Sequence, residues 1–152
     1  MPAEENKIVV RRLFDAINEG NVVAIDQLLA SNYALHLASN PPMDREAFKQ
    51  GVIASGAAFP DARFTLEDLI AEGDKVAARV TMRGTHRGTF MGAPPTGNQV
   101  TMRGMDIFRF VAGKVVEHWG NEDDLGLMQQ LGVVPAPGQP EEGGPTAPSG
   151  RA

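Results

Sequence analysis

Asp106 and His118 are the two residues of this chain whose types and spacing best fit acid–base chemistry. Each lies in a segment with the alternating pattern of a β-strand, and Ala112-Gly113 between the segments predicts a tight turn. Because strand side chains alternate in direction, Asp106 shares a face with apolar neighbours. The two predicted inward faces are Met102, Gly104, Asp106 and Phe108 on the first strand, and Val116, His118 and Gly120 on the second.

The turn decides how these two strands pair. A one-residue bulge would make Asp106 and His118 direct cross-strand neighbours, whereas a plain two-residue hairpin would place Asp106 opposite Trp119. Both registers stay open at this point, and the bulged one brings the two titratable groups together.

A carboxylate beside an imidazole in a partly desolvated cavity can divide the roles of acid and base. This is the catalytic interpretation of Asp106 and His118. The structural interpretation is that Asp106 only accepts hydrogen bonds, from the backbone or from Arg103 or Arg109, and that His118 is a satisfied core histidine.

Other residues are candidates for contact with a ligand. His36 lies in a weakly alternating segment that fits a short strand at a cavity mouth, where ligand contact and surface exposure both remain open. Residues 88–97 are too rich in Gly and Pro for regular structure but carry two large apolar residues, so we expect a loop that folds over the cavity. Asn121 and Asp123 follow the last strand and would rim the pocket. The predicted ligand contacts are His36, Phe59, Phe90, Met91, Met102, Asn121 and Asp123.

His86 stands in a turn-rich segment that is typical of a solvated histidine, and we leave it out of the site. No two histidines have helical i, i+4 or strand i, i+2 spacing, so the sequence predicts no metal site. The Gly-rich segment 88–97 is not a phosphate-binding loop, because it lacks the lysine and leads into a strand rather than a helix.

The composition excludes several classes of function. The chain has 14 Lys and Arg against 19 Asp and Glu, a net charge of −5 and no basic run, which disfavours nucleic acid as a partner. The absence of cysteine excludes thiolate nucleophiles and iron–sulfur clusters. No secretory signal and no run of about 18 apolar residues is present, so we predict a cytoplasmic protein with no membrane partner.

The elements that must position these residues follow from periodicity. Apolar residues at helical spacing predict a first helix over residues 7–19, while Asn21 and Asp44 are suited to cap a second and a third helix. Extended patterns predict strands over residues 63–70, 75–85, 99–111 and 114–119, and a short helix follows over residues 123–131.

Helices followed by an antiparallel meander predict an α+β fold. We expect the N-terminal helices to pack on a strongly curved antiparallel sheet, giving a cone that encloses a mostly apolar pocket for a small molecule. Residues 1–134 form one predicted domain, and the Pro- and Gly-rich residues 135–152 form a predicted disordered tail.

Four segments, in order, give the chain a family resemblance from about residue 6 to residue 134. They are Phe59-Pro60-Asp61, the Gly-rich stretch from Gly84 to Gly97, Asp106-Ile107-Phe108-Arg109, and Gly113 to Trp119. Together with the ending Leu125 to Gly132 they resemble the SnoaL-like polyketide cyclase family. The resemblance implies a nuclear transport factor 2-like fold, a homodimer packed through the outer sheet face, and chemistry without a metal or organic cofactor.

The resemblance also implies site roles, with one departure. In the characterised cyclases an aspartate two residues after the strand histidine acts as acid and base in an intramolecular aldol ring closure, and here that position is Gly120. His118 matches the strand histidine, Asp106 falls where the cyclases have a pocket histidine, and Leu35 or His36 falls where one has a pocket asparagine.

Three functions are therefore expected in descending order. The first is a cofactor-independent cyclase, isomerase or dehydratase that acts on a small apolar carbonyl compound through Asp106 and His118. The second is a non-catalytic module that binds such a molecule, which the glycine at position 120 favours. The third is a protein-interaction domain that uses the outer sheet face.

Overall fold

The fold was described from a computed structural model, which defines residues 2–38 and 40–138. The helices are α1 (Pro2–Glu19), α2 (Val22–Leu28), α3 (Arg45–Ala58) and α4 (Asp124–Gln130). The strands are β1 (Leu29–Leu37), β2 (Arg63–Glu72), β3 (Lys75–Thr85), β4 (Gln99–Val111) and β5 (Lys114–Glu122). Residues 139–152 of the predicted tail lie outside the described residues.

The five strands form one curved, open sheet in the order β1-β5-β4-β3-β2. Strands β2 to β5 are the predicted antiparallel meander, and the hairpin turn between β4 and β5 has positive φ at both Ala112 and Gly113, as a tight type I′ turn requires. The predicted α+β architecture, with helices on a curved sheet, is confirmed.

Strand β1 differs from the prediction. It runs for nine residues and pairs in parallel with β5, where Leu35 lies opposite His118 and His36 opposite Trp119. A parallel neighbour is joined by a long connection, so no local turn in the sequence marks it. Strand β1 therefore forms the edge of the sheet next to β5, the strand that carries His118.

The predicted caps are observed. Asn21 Oδ1 accepts a hydrogen bond from the Ala24 amide at 3.1 Å, and Asp44 Oδ1 accepts one from the Ala47 amide at 2.8 Å. Helix α1 begins at Pro2, five residues before the predicted start, because a proline is well suited to the first helical position.

The core lies between α1 and the concave face of the sheet. Leu13 and Phe108 are fully buried, and the rings of Phe14 and Phe108 meet edge to face at 6.2 Å. Each large side chain buried here contributes roughly 1.5–3 kcal/mol. This packing holds α1 above β4 and leaves the other end of the concave face open as a cavity.

Candidate functional site

A cavity of about 470 Å³ lies between the concave face of the sheet and helices α1 and α3. Its walls are mainly apolar, and five residues predicted for the site line it: Phe59, Phe90, Met102, Asp106 and His118. The volume falls in the range typical of small-molecule sites.

Asp106 and His118 are joined by a short hydrogen bond in this cavity. Asp106 Oδ1 and His118 Nε2 are 2.7 Å apart, and the two residues are only 5% and 6% exposed. Of the two registers left open, the bulged one is present, because Arg109 pairs with Glu117 while Phe110 pairs with Val115. The expectation that a bulge would place Asp106 directly opposite His118 is wrong.

The observed register explains this difference. The extra residue, Val116, lies on β5, so Asp106 stands directly opposite Gly120 and His118 opposite Phe108. The carboxylate therefore reaches diagonally across the sheet to the imidazole, whose ring stacks on Phe108 with centroids 4.2 Å apart.

Tyr33, which the sequence did not single out, completes a chain of three side chains. Its hydroxyl lies 2.9 Å from His118 Nδ1, and Tyr33 is 2% exposed. Burial, and then the nearby charge of Asp106, raise the pKa of Tyr33 well above its usual range. The phenol therefore stays protonated and can donate to Nδ1, and in that arrangement Nε2 of His118 carries a proton and donates it to Asp106.

Gly120 provides the space that the Asp106 carboxylate occupies. A Cβ atom at position 120 would lie 2.8 Å from Asp106 Oδ1 and 3.2 Å from Leu37 Cδ2. The carboxylate bonded to His118 therefore comes from β4 and lies over position 120 of β5.

Glu122 is a second acid that lines the cavity, and it was missed because the predicted strand ended at residue 119. Extending the alternation of Val116, His118 and Gly120 by one step would have placed Glu122 on the same face. Burial, followed by the charges of Asp106 and Asp124, raises the pKa of Glu122 to about 8, so this carboxyl group holds its proton at neutral pH.

The remaining predicted contacts lie elsewhere. His36 is on the outer face of the sheet, where its Nε2 lies 3.2 Å from Glu117 Oε2 and its ring stacks on Trp119. Asn121 is exposed and pairs with Met105 on the same outer face. The outward direction follows from the alternation of β1 and β5, so neither residue lines the cavity.

Met91 and Asp123 are also outside the cavity. Met91 is 80% exposed at the tip of the Gly-rich loop, while Phe90 beside it turns inward. Asp123 caps α4 by accepting a hydrogen bond from the Gly126 amide, and the next residue, Asp124, lines the cavity in its place.

His86 is buried, contrary to the expectation of a solvated histidine. It is 0% exposed, its ring packs on Phe59, and its Nδ1 accepts a hydrogen bond from the Thr96 amide at 3.2 Å. This contact fixes the base of the predicted loop, so His86 is a buried structural residue of the loop rather than a solvated one.

Within the described ranges, no group of three His, Asp or Glu side chains is placed to hold a metal ion. No helix in that part of the chain is both long and apolar enough to cross a membrane.

A cone of helices on a curved sheet, with an acid and an imidazole facing an apolar cavity, has the architecture of a small-molecule site. The family model for the SnoaL-like polyketide cyclase matches residues 7–131, and the chain belongs to that family.

Characterised relatives and solved structures agree with this placement. The chain is 32% identical over 129 residues to the aklanonic acid methyl ester cyclase DauD of Streptomyces sp. (strain C5), covering 82% of this chain and 80% of that one. It is 28% identical over 123 residues to the nogalonic acid methyl ester cyclase of Streptomyces nogalater, covering 79% and 92%.

Among solved structures, AclR from Streptomyces galilaeus aligns with a TM-score of 0.81 and 30% identity, covering 88% of this chain and 85% of AclR. IdmH from Streptomyces antibioticus aligns with a TM-score of 0.75 and 34% identity, covering 84% and 98%. The fold is the nuclear transport factor 2-like cone of this family.

Proposed function

We propose that this protein catalyses a cofactor-independent ring closure of a small, uncharged, carbonyl-containing molecule. The observation that carries the proposal is the buried Asp106–His118 hydrogen bond of 2.7 Å, which faces an apolar cavity and occupies the space above Gly120. The relatives named as cyclases of methyl esters support ring closure as the reaction.

The charges of the cavity support an uncharged substrate. The described residues that line it include Asp106, Glu122 and Asp124 but neither Lys nor Arg. A free carboxylate would meet like charges with no cation to neutralise it, whereas an ester or ketone would not.

Asp106 is the base in this proposal. A carbon-bound hydrogen next to a carbonyl group is acidic because the resulting carbanion is delocalised onto oxygen. Asp106 takes that proton, and the carbon forms a bond to a second carbonyl carbon of the same molecule as the π bond of that carbonyl group breaks. The carbonyl oxygen then takes up one proton from an acid of the cavity and becomes a hydroxyl, so that substrate and product have the same composition. His118 and Tyr33 hold Asp106 in position and need no proton exchange of their own.

The test is Asp106→Asn with aklanonic acid methyl ester as the probe. Asparagine keeps an acceptor for His118 Nε2 but cannot take a proton, so ring closure should slow by about 10²–10⁴-fold while binding stays nearly unchanged. Binding is measured by thermal shift and product by mass spectrometry.

Asp68→Asn is the matched control, because Asp68 pairs with Arg79 on the exposed sheet surface at 2.7 Å. This variant should react at the wild-type rate. If the wild-type protein binds the probe but returns it unchanged after long incubation, the proposed catalysis is wrong and the protein is a binding module.

A further inference from the structure

Strands β4 and β5 place an acid opposite a glycine twice in succession on the concave face. Asp106 pairs with Gly120, and Glu122 pairs with Gly104. A Cβ atom at position 104 would lie 2.9 Å from Glu122 Cγ, just as one at position 120 would lie 2.8 Å from Asp106 Oδ1. Both glycines therefore leave room for the acid on the opposite strand.

The two carboxyl groups converge on one place. The Cβ position of residue 120 that lies against Asp106 is also 3.4 Å from Glu122 Oε1. No Lys or Arg is among the described residues lining this cavity, so two ionised carboxylates here would repel each other without compensation. Such a pair is expected to hold one proton between its members, as in other carboxyl dyads.

The acid needed for ring closure is not supplied by His118. Its Nε2 is engaged with Asp106 at 2.7 Å and its Nδ1 with Tyr33 at 2.9 Å, so neither nitrogen is free to meet a substrate oxygen. Glu19 and Asp124 also line the cavity, but both are exposed. Glu122 is the remaining acid beside Asp106 that is half-buried and faces the cavity.

We propose that Glu122 is the catalytic acid of this site, working with Asp106 as a pair that shares one proton. This inference rests on the proposed ring closure.

The proton balance closes within the pair. Asp106 gains the proton from the donor carbon, the carbon–carbon bond forms, and Glu122 gives its proton to the oxygen of the second carbonyl group. Asp106, now protonated, returns a proton to the Glu122 carboxylate, which approaches the same position above Gly120, and this restores the starting state. Substrate and product then have the same composition, and no oxidant, metal or solvent proton is consumed.

The test is Glu122→Gln, with aklanonic acid methyl ester in D2O as the probe. Glutamine matches the shape of Glu122 and keeps a hydrogen-bond donor but cannot give up a proton. Ring closure should therefore fall by about 10²-fold or more, while the enzyme-dependent uptake of deuterium at the donor carbon, which needs only Asp106, should persist within about tenfold. Asp106→Asn should abolish both.

A second readout is the pH profile of kcat/KM. Because Glu122 must be protonated to act, the wild-type rate should fall as the pH rises through about 8, and Glu122→Gln should lack that decline. The titrating groups that surround Glu122 are Asp106, Asp124 and His118, and each keeps its place in this variant.

Glu117→Gln is the matched control, because it makes the same chemical change on the same strand but on the outer face. It should keep the rate and the pH profile of the wild type. If Glu122→Gln has wild-type kinetics, or loses ring closure and deuterium uptake equally, the assignment of Glu122 as the acid is wrong. The proposed ring closure itself is not contradicted by either result. A wild-type protein that neither closes the ring nor exchanges the hydrogen overturns the proposed function as well.

Discussion

Gly120 determines which strand supplies the carboxylate that bonds to His118. A side chain at position 120 and the present position of the Asp106 carboxylate exclude each other, because a Cβ atom there would come within 2.8 Å of Asp106 Oδ1. The glycine is thus compatible with catalysis, because it leaves no side chain at position 120 and admits Asp106 from β4. Asp106 is bonded to His118 rather than to Arg103 or Arg109, and both ring nitrogens of His118 have partners, as the structural interpretation also predicts.

This argument predicts the behaviour of Gly120→Ala. The methyl group must displace the Asp106 carboxylate and lengthen its bond to His118, so we expect a loss of stability of about 1–3 kcal/mol. In an Asp106→Ala background the same substitution should cost less than half as much, because the atom it meets is gone. Denaturant unfolding of the two single variants and the double variant measures this coupling; equal costs in both backgrounds would show that Leu37, not Asp106, occupies the space.

The sequence was sufficient to find Asp106 and His118, because strand alternation and the Ala112-Gly113 turn are local signals. It was insufficient for Tyr33, whose contact with His118 spans 85 residues and depends on the parallel strand β1. Glu122 was accessible to the same alternation, but the strand was ended three residues too early.

Helix α1 is held against the edge of the sheet by a long-range contact of one side chain. Asn18 Nδ2 donates to the Phe64 carbonyl at 3.0 Å, and Asn18 Oδ1 accepts from the Phe64 amide at 2.7 Å. The side-chain amide of Asn18 thus makes the two backbone hydrogen bonds that a neighbouring strand would make at the edge strand β2. Helix α1 forms one wall of the cavity, so this contact sets the cavity width.

Replacing Asn18 by Ala should destabilise the protein by about 2 kcal/mol, because it leaves both half-buried polar groups of Phe64 without their partner. Asn32→Ala, at an exposed position in β1, is the matched control and should change the stability by no more than about 0.5 kcal/mol. Urea denaturation measures both. Equal stability of the two variants would show that apolar packing alone holds α1 in place.

Elements differ in how far the sequence determines them. The caps of α2 and α3 were predictable, because Asn21 and Asp44 act on amides three residues away. The Asn18–Phe64 contact and the pairing of β1 with β5 were not, since they join segments that only the finished fold brings together. The helices and the meander therefore follow from local chemistry, whereas the cavity walls follow from tertiary contacts.

At the scale of the whole molecule, the outer face of the sheet carries an exposed apolar row. Ile70, Ala77, Ile107 and Trp119 are cross-strand neighbours in register, and Met105 beside them is 65% exposed. Ion pairs flank the row, Arg79 with Asp68 on one side and Arg109 with Glu117 on the other, both at 2.7 Å. Exposed apolar surface of this kind marks an association site.

We propose that a second copy of the chain covers this row. The two flanking ion pairs are closed within the chain, and two identical apolar rows can meet about a twofold axis. Light scattering should then give twice the chain mass of 16.2 kDa.

Ile107→Glu should give a monomer with unchanged circular dichroism, because Ile107 is 43% exposed and is not needed in the core. Val23→Glu, on the exposed side of α2, should remain dimeric; a monomeric wild type, or a dimer that survives Ile107→Glu, would show that this face is not the interface.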